Sequence, residues 1–212
     1  MKTLLLIFAI SLCSFNTWSQ EDRYTSAMLA AIASLDQASG PAGFAEIAGR
    51  FERIATAEKS RWLPYYYASY ALIVMSYDQN DMGQRDLTLD RAQELLDRAT
   101  ELEPGESELL VLQAFLYPSR IMVDPMGRGL AYMEKEFATL DAALKLNPDN
   151  PRIYFLEGVN KLNLPSSMGG GTEEGRRLLE TALEKFEAWT GGDPLWPTWG
   201  EDATRAELEK LQ

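Results

Sequence analysis

Apolar residues recur at three- and four-residue steps along most of the chain, the spacing of one face of a helix. Between Tyr24 and Ala38, Met28, Ile32 and Leu35 form one stripe with Leu29 beside it. Gly40-Pro41 breaks that pattern. From Phe44 to Lys59 the stripe resumes with Phe44, Ile47, Phe51 and Ile54. These two segments predict a first helical hairpin.

Further along, the pattern repeats itself. The stretch RAQELLDRATELEP (91–104) has a relative in EKEFATLDAALKLNP (134–148). In both, an alanine (Ala99, Ala143) stands three residues before a leucine (Leu102, Leu146) and five before a proline (Pro104, Pro148). The alanine admits a close neighbour, the leucine shares its face, and the proline ends the helix. Each preceding helix carries a small residue, Ala71, Ala114 or Gly158, at spacings of 43 and 44 residues. Four residues earlier stand Tyr67, Leu110 and Tyr154, and three earlier still the start signals Pro64, Ser107 and Pro151. The second helices are expected over Asp86–Glu103, Gly129–Leu146 and Thr172–Trp189. The hairpins then span about 22–59, 62–104, 107–148 and 151–190, in a single domain of residues 20–212 closed by a cap over 191–212.

Tyr154, Gly158, Ala92, Ala99, Pro104, Ala143, Pro148 and Ala182 fall where the tetratricopeptide-repeat family places its large and small residues and its closing proline. Over roughly residues 60–190 the chain resembles that family. The resemblance implies an all-α fold: a right-handed α-solenoid of about four stacked hairpins whose concave face binds partners. The family period is about 34 residues, and the spacing here is longer. The surplus is expected in loops inside the hairpins: SYDQNDMGQRD (76–86), PSRIMVDPMGR (118–128) and LPSSMGGGT (164–172). Each holds a Met-Gly pair: Met82-Gly83, Met126-Gly127 and Met168-Gly169. The glycines are expected at positive φ. With Gly170, these residues form a candidate partner-binding edge, since binding residues concentrate on loops held by rigid scaffolds. A turn plugged by a flexible methionine is the structural alternative. Tyr66, Tyr67 and Tyr70 are candidate groove residues, with core packing as their alternative.

The ends and the composition narrow the chemistry. Lys2 followed by LLLIFAISL reads as a secretory leader, cleaved after Thr17-Trp18-Ser19 and before Gln20. Leu12 beside Cys13 argues against lipid attachment there, because that cleavage favours a small residue. Without residues 1–19 the chain has no cysteine and, as throughout, no histidine; losing Lys2 takes the formal charge from −12 to −13. Disulfides, thiol or Ser-His-Asp nucleophiles and Cys/His zinc sites are thereby excluded. The acidic balance argues against nucleic acid and anionic lipid. The glycine run at 169–171 lacks a P-loop lysine, and Glu173 and Glu174 after it would repel phosphate. Asp78, Asp81, Asp86 and Asp90 do not have EF-hand spacing. Near the end, Trp196 and Trp199 are expected to fold over the exposed end of the array, followed by a polar capping helix.

These observations point to an exported, non-catalytic scaffold that binds a protein or peptide in the cell envelope, with no metal and no cofactor. The alternative is a periplasmic component that binds a small molecule or lipid for a solute transport system. MGGGT (168–172) before LLETALEKF (178–186) is similar to the periplasmic helical-repeat component of tripartite, TRAP-type transporters. No constellation of carboxylate, Lys, Tyr or Ser/Thr stands out as an enzyme site.

Overall fold

The computed structural model describes residues 20–189 and 192–212. The leader and Cys13 lie outside the described residues. Those that are described fold into helices and connections without a strand. Helix α1 covers residues 20–35. It is followed by α2 (Gly40–Ala57), α3 (Leu63–Tyr77), α4 (Met82–Leu102), α5 (Ser107–Val123), α6 (Pro125–Leu146), α7 (Pro151–Asn163), α8 (Thr172–Ala188) and α9 (Glu201–Glu209). Helices α3 with α4, α5 with α6 and α7 with α8 pack as sequential pairs. Helices α3, α5 and α7 also touch one another in order, and α9 lies on α8.

The starts follow from capping. Asp81 and Asp124 accept the backbone N–H of Gln84 (3.0 Å) and Gly127 (2.9 Å), and Asn150 accepts that of Arg152 (3.0 Å). Each satisfies a donor that a helix N-terminus leaves free. Here the structure corrects the sequence reading. Two of the three expected loops are largely helix: α4 begins at Met82 rather than Asp86, and α6 at Pro125 rather than Gly129, leaving only residues 78–81 and Asp124 between helices. A single residue, Asp124, ends α5 and caps α6. The long repeat therefore comes from long helices: α4, α5 and α6 run 21, 17 and 22 residues. Gly83 and Gly127 sit in first helical turns and do not have positive φ; Gly169 does, at 85°. Glycine suits residue 127 because an added Cβ would strike the capping carboxylate of Asp124.

Helix α5 also runs through Pro118, which opens a turn by removing one N–H. The Tyr77 hydroxyl donates to the Phe115 carbonyl in that turn (3.1 Å), and Ser119 Oγ meets Ser76 Oγ at 2.7 Å. Arg120 pairs with Asp86 and with Asp90 (2.6 Å), fixing the last turn of α5.

The apolar stripes meet in two clusters that share α5. One gathers Met28, Phe51, Tyr66, Tyr67, Ile73, Leu89, Leu96, Leu112 and Leu116; the other gathers Val111, Ala114, Leu140, Ile153, Leu179, Ala182 and Phe186. The small residues of the repeat do what their size suggests. Ala71, Ala99, Ala114 and Ala143 are fully buried. A Cβ at Gly158 would lie 2.9 Å from Leu179 Cγ, so α7 and α8 approach too closely for a side chain there.

Candidate functional site

Pro194 and Pro197 keep LWPTWG out of a helix, since proline lacks the donor that a helix requires. Asp193 accepts the Leu195 N–H at 2.8 Å and turns the chain inward. Gly200, at φ 109°, turns it out again into α9; a Cβ there would meet Phe186 Cζ at 2.9 Å. Between these turns, residues 193–200 form a strap. It does not cover the end of the array, as the sequence suggested. It crosses α3, α5 and α7. The Tyr67 hydroxyl on α3 donates to the Leu195 carbonyl at 2.9 Å. Trp199 lies against Tyr70 of α3 (centroids 5.2 Å, planes 24° apart) and Phe115 of α5 (5.2 Å, 29°), with Phe155 of α7 edge-on at 6.5 Å.

A buried polar network holds the strap. Arg152 on α7 and Glu108 on α5 are 3% and 2% exposed and pair at 2.9 Å. Arg152 Nε donates to the Trp199 carbonyl at 2.8 Å, and Nη2 donates to the Pro197 carbonyl. Its guanidinium also stands over the Trp199 ring at 5.2 Å. Glu108 accepts from Asn150 (2.8 Å) and from the Tyr66 hydroxyl (3.2 Å), which accepts Trp199 Nε1–H at 2.7 Å. Burial pushes the Glu108 carboxyl up, while Arg152 and its hydrogen bonds favour the ionised form.

One side of the strap walls a cavity of about 390 Å³, within the range of small-molecule sites. Its apolar lining comes from Ile32 and Leu35 of α1, Phe44 of α2, Tyr67, Tyr70 and Val74 of α3, and Trp199. Asp36, Glu201 and Asp202 also line it and make that boundary acidic. Burial pushes the Tyr70 hydroxyl up to about 12, so it stays a neutral phenol near neutral pH. On the other side, Arg152, Phe186, Trp189 and Trp196 line a second cavity of about 330 Å³. Thr198 and Glu201 border both.

No protein-family model matches the chain, and no curated protein matches it. Among solved structures, the HusA haemophore from Porphyromonas gingivalis matches with a TM-score of 0.80 and 30% sequence identity. The match covers 89% of this chain and 92% of that one. The chain belongs to the family of that haemophore. The tetratricopeptide resemblance is compatible with the paired helices of this family member, but no family model supports it. No described helix is long and apolar enough to cross a membrane.

Of the residues singled out from sequence in this haemophore relative, Tyr67 and Tyr70 come together at the strap cavity. Tyr66 is fully buried in the polar network beneath Trp199. The methionines do not form three equivalent loop tips. Met82 and Met126 stand on the first turns of α4 and α6, and Met126 is 97% exposed. Met168 ends a short 3-10 turn (Ser166–Met168) in the connection from α7 to α8, beside a third cavity of about 420 Å³ with Phe137 and Tyr154. In that loop Gly169 supplies the positive φ, and Gly170 leaves no room for a Cβ beside the Leu164 carbonyl. Sequence reasoning missed Phe115, Phe155, Glu108 and Arg152, and gave Trp199 a capping role. One signal was present: Glu108 and Arg152 are 44 residues apart, equivalent repeat positions with opposite charges.

Proposed function

We propose that the protein is an exported, non-catalytic carrier that binds a planar tetrapyrrole of the haem type beside the strap. The observation that carries this reading is the aromatic cavity of Tyr67, Tyr70, Phe44 and Trp199, in a chain similar over most of its length to a haemophore. The chain has no histidine, and its one cysteine is Cys13. That leaves Met and Tyr among the side chains that commonly hold haem iron. Among the described residues no methionine lines the cavity, and burial holds its two tyrosines, Tyr67 and Tyr70, as neutral phenols. Affinity then rests on stacking and burial of the macrocycle, and iron is secondary.

Titration of the protein with haemin and with iron-free protoporphyrin tests this. Similar affinities for both are expected, with about a tenfold loss in Tyr70→Ala from the missing stacked ring. Absence of binding, or binding that requires iron, overturns the reading.

The same proposal places residues 1–19 as a leader cleaved before Gln20, and the hairpins as a right-handed solenoid in one domain. Exposure of Met126 favours a second reading, a protein or peptide partner on the methionine edge. A cross-linking pull-down with folded protein carrying Met82→Ala, Met126→Ala and Met168→Ala tests it. Equal capture by parent and variant counts against it.

A further inference from the structure

Trp199 behaves as an internal ligand. Its indole lies across Tyr70 and Phe115, is edged by Phe155, and donates Nε1–H to the Tyr66 hydroxyl. Tyr70 and Phe115 make an aromatic platform spanning α3 and α5, with Phe155 of α7 standing as its edge and the Tyr66 hydroxyl as the polar group that meets the ring. The strap enters the core at Leu195, but the platform does not depend on it, because Tyr70 and Phe115 stack on each other at 6.1 Å and 24°.

The polar contacts are those of a carboxylate site. Arg152 uses Nη1 for Glu108 and spends Nε and Nη2 on two strap carbonyls. With the strap withdrawn, those two N–H groups point the same fork at whatever lies on the platform, and a carboxylate is the group that best fits a fork. Arg152 is the cation of the second cavity, where it faces Asp193 and Glu201, whereas the first cavity is lined by Asp36, Glu201 and Asp202 and, among the described residues, by no cation. The strap is also imperfectly satisfied: Trp196 Nε1 is buried without an acceptor, which weakens its hold. Because Thr198 and Glu201 border both cavities, strap displacement joins them into one long slot.

We propose that the strap is a displaceable plug. A planar aromatic acid takes the place of the Trp199 ring on Tyr70 and Phe115, and its carboxylate takes the place of the strap carbonyls on Arg152. This rests on the tetrapyrrole reading and adds the mode of entry: cargo and strap compete for one platform.

Competition gives the test its sign. If Trp199 only walls the cavity, Trp199→Ala weakens haemin binding. If Trp199 occupies the site, Trp199→Ala strengthens it, by about tenfold for the loss of two stacked ring contacts. In parent protein labelled with 5-fluorotryptophan, with Trp199 assigned by Trp199→Phe, saturating haemin should move the Trp199 resonance to a solvent-exposed position. Weaker binding by Trp199→Ala, or an unmoved Trp199 resonance in the haemin complex, overturns the proposal. Should Trp199→Ala fail to fold, the fluorine resonance of the parent decides alone. Should haemin bind neither protein, the cargo reading falls, and the plug is judged with the aromatic sulfonate 1-anilinonaphthalene-8-sulfonate. Dye bound by folded Trp199→Ala and not by the parent sustains the plug; equal binding removes it.

Discussion

Glu136 is 3% exposed on α6, and its Oε1 accepts the side-chain amide of Asn160 at 2.8 Å. Among the described residues no cation opposes its desolvation, and burial outweighs the Asn160 hydrogen bond to raise its pKa from the ordinary 4.5 to about 7. Replacing it by glutamine keeps the shape and the acceptor and removes the titration. The sign follows from linkage. The folded pKa lies above the unfolded one, so the native protein holds the proton more tightly. The contribution of this group to parent stability is fully present below about pH 4.5, is lost as pH rises through about 7, and then levels off. At 1.36 kcal/mol per pKa unit, the rise amounts to about 3 kcal/mol. Glu136→Gln should therefore match the parent at pH 4 and exceed it by about 3 kcal/mol at pH 8. At the transition temperature that corresponds to about 6–12 °C for a chain of this length. Urea denaturation at pH 4, 5.5, 7 and 8, with equal m-values, reads the difference directly. A stability difference that does not change between pH 4 and pH 8 would refute the reasoning, as would a variant less stable than the parent at pH 8.

Two further outcomes follow from the same geometry. Glu108→Gln leaves Arg152 buried without its counter-charge and should cost about 3–5 kcal/mol in chemical denaturation at neutral pH; a loss below 1 kcal/mol would show that the pair does not anchor the network. Asp124→Ala removes the cap of α6 and should cost about 1 kcal/mol; no loss by the same assay would mean that the Gly127 contact adds nothing.

The helices were legible because they are periodic. Ala71, Ala114 and Gly158 mark one buried register, and Ala99 and Ala143 mark another. What failed was punctuation. Pro118, Gly83 and Gly127 read as breakers, yet Pro118 lies within α5, where the Tyr77 hydroxyl bonds the Phe115 carbonyl beside the one that the proline leaves free, and the two glycines sit in capped first turns. Local rules cannot see a tyrosine that arrives from another helix. The site was half legible. Tyr67 and Tyr70 were recognisable as amphipathic aromatics at helical spacing. Their partner Trp199 lies more than 125 positions further on, and no periodicity links a proline-rich tail to α3. Glu108 and Arg152 were visible only as a charge swap between repeats, a signal that gains meaning once α5 and α7 are known to touch.

The strap also sets how the molecule comes apart. Paired helices that touch only their neighbours can fray one pair at a time. Here the Tyr66–Trp199 and Tyr67–Leu195 bonds join positions 133 and 128 residues apart. Such long-range closures carry a loop entropy that the local contacts of a hairpin do not. The strap thus ties the tail to α3, so no single hairpin can leave without a contact being broken far along the chain. Whatever loosens the tail also uncovers Tyr70 and Phe115.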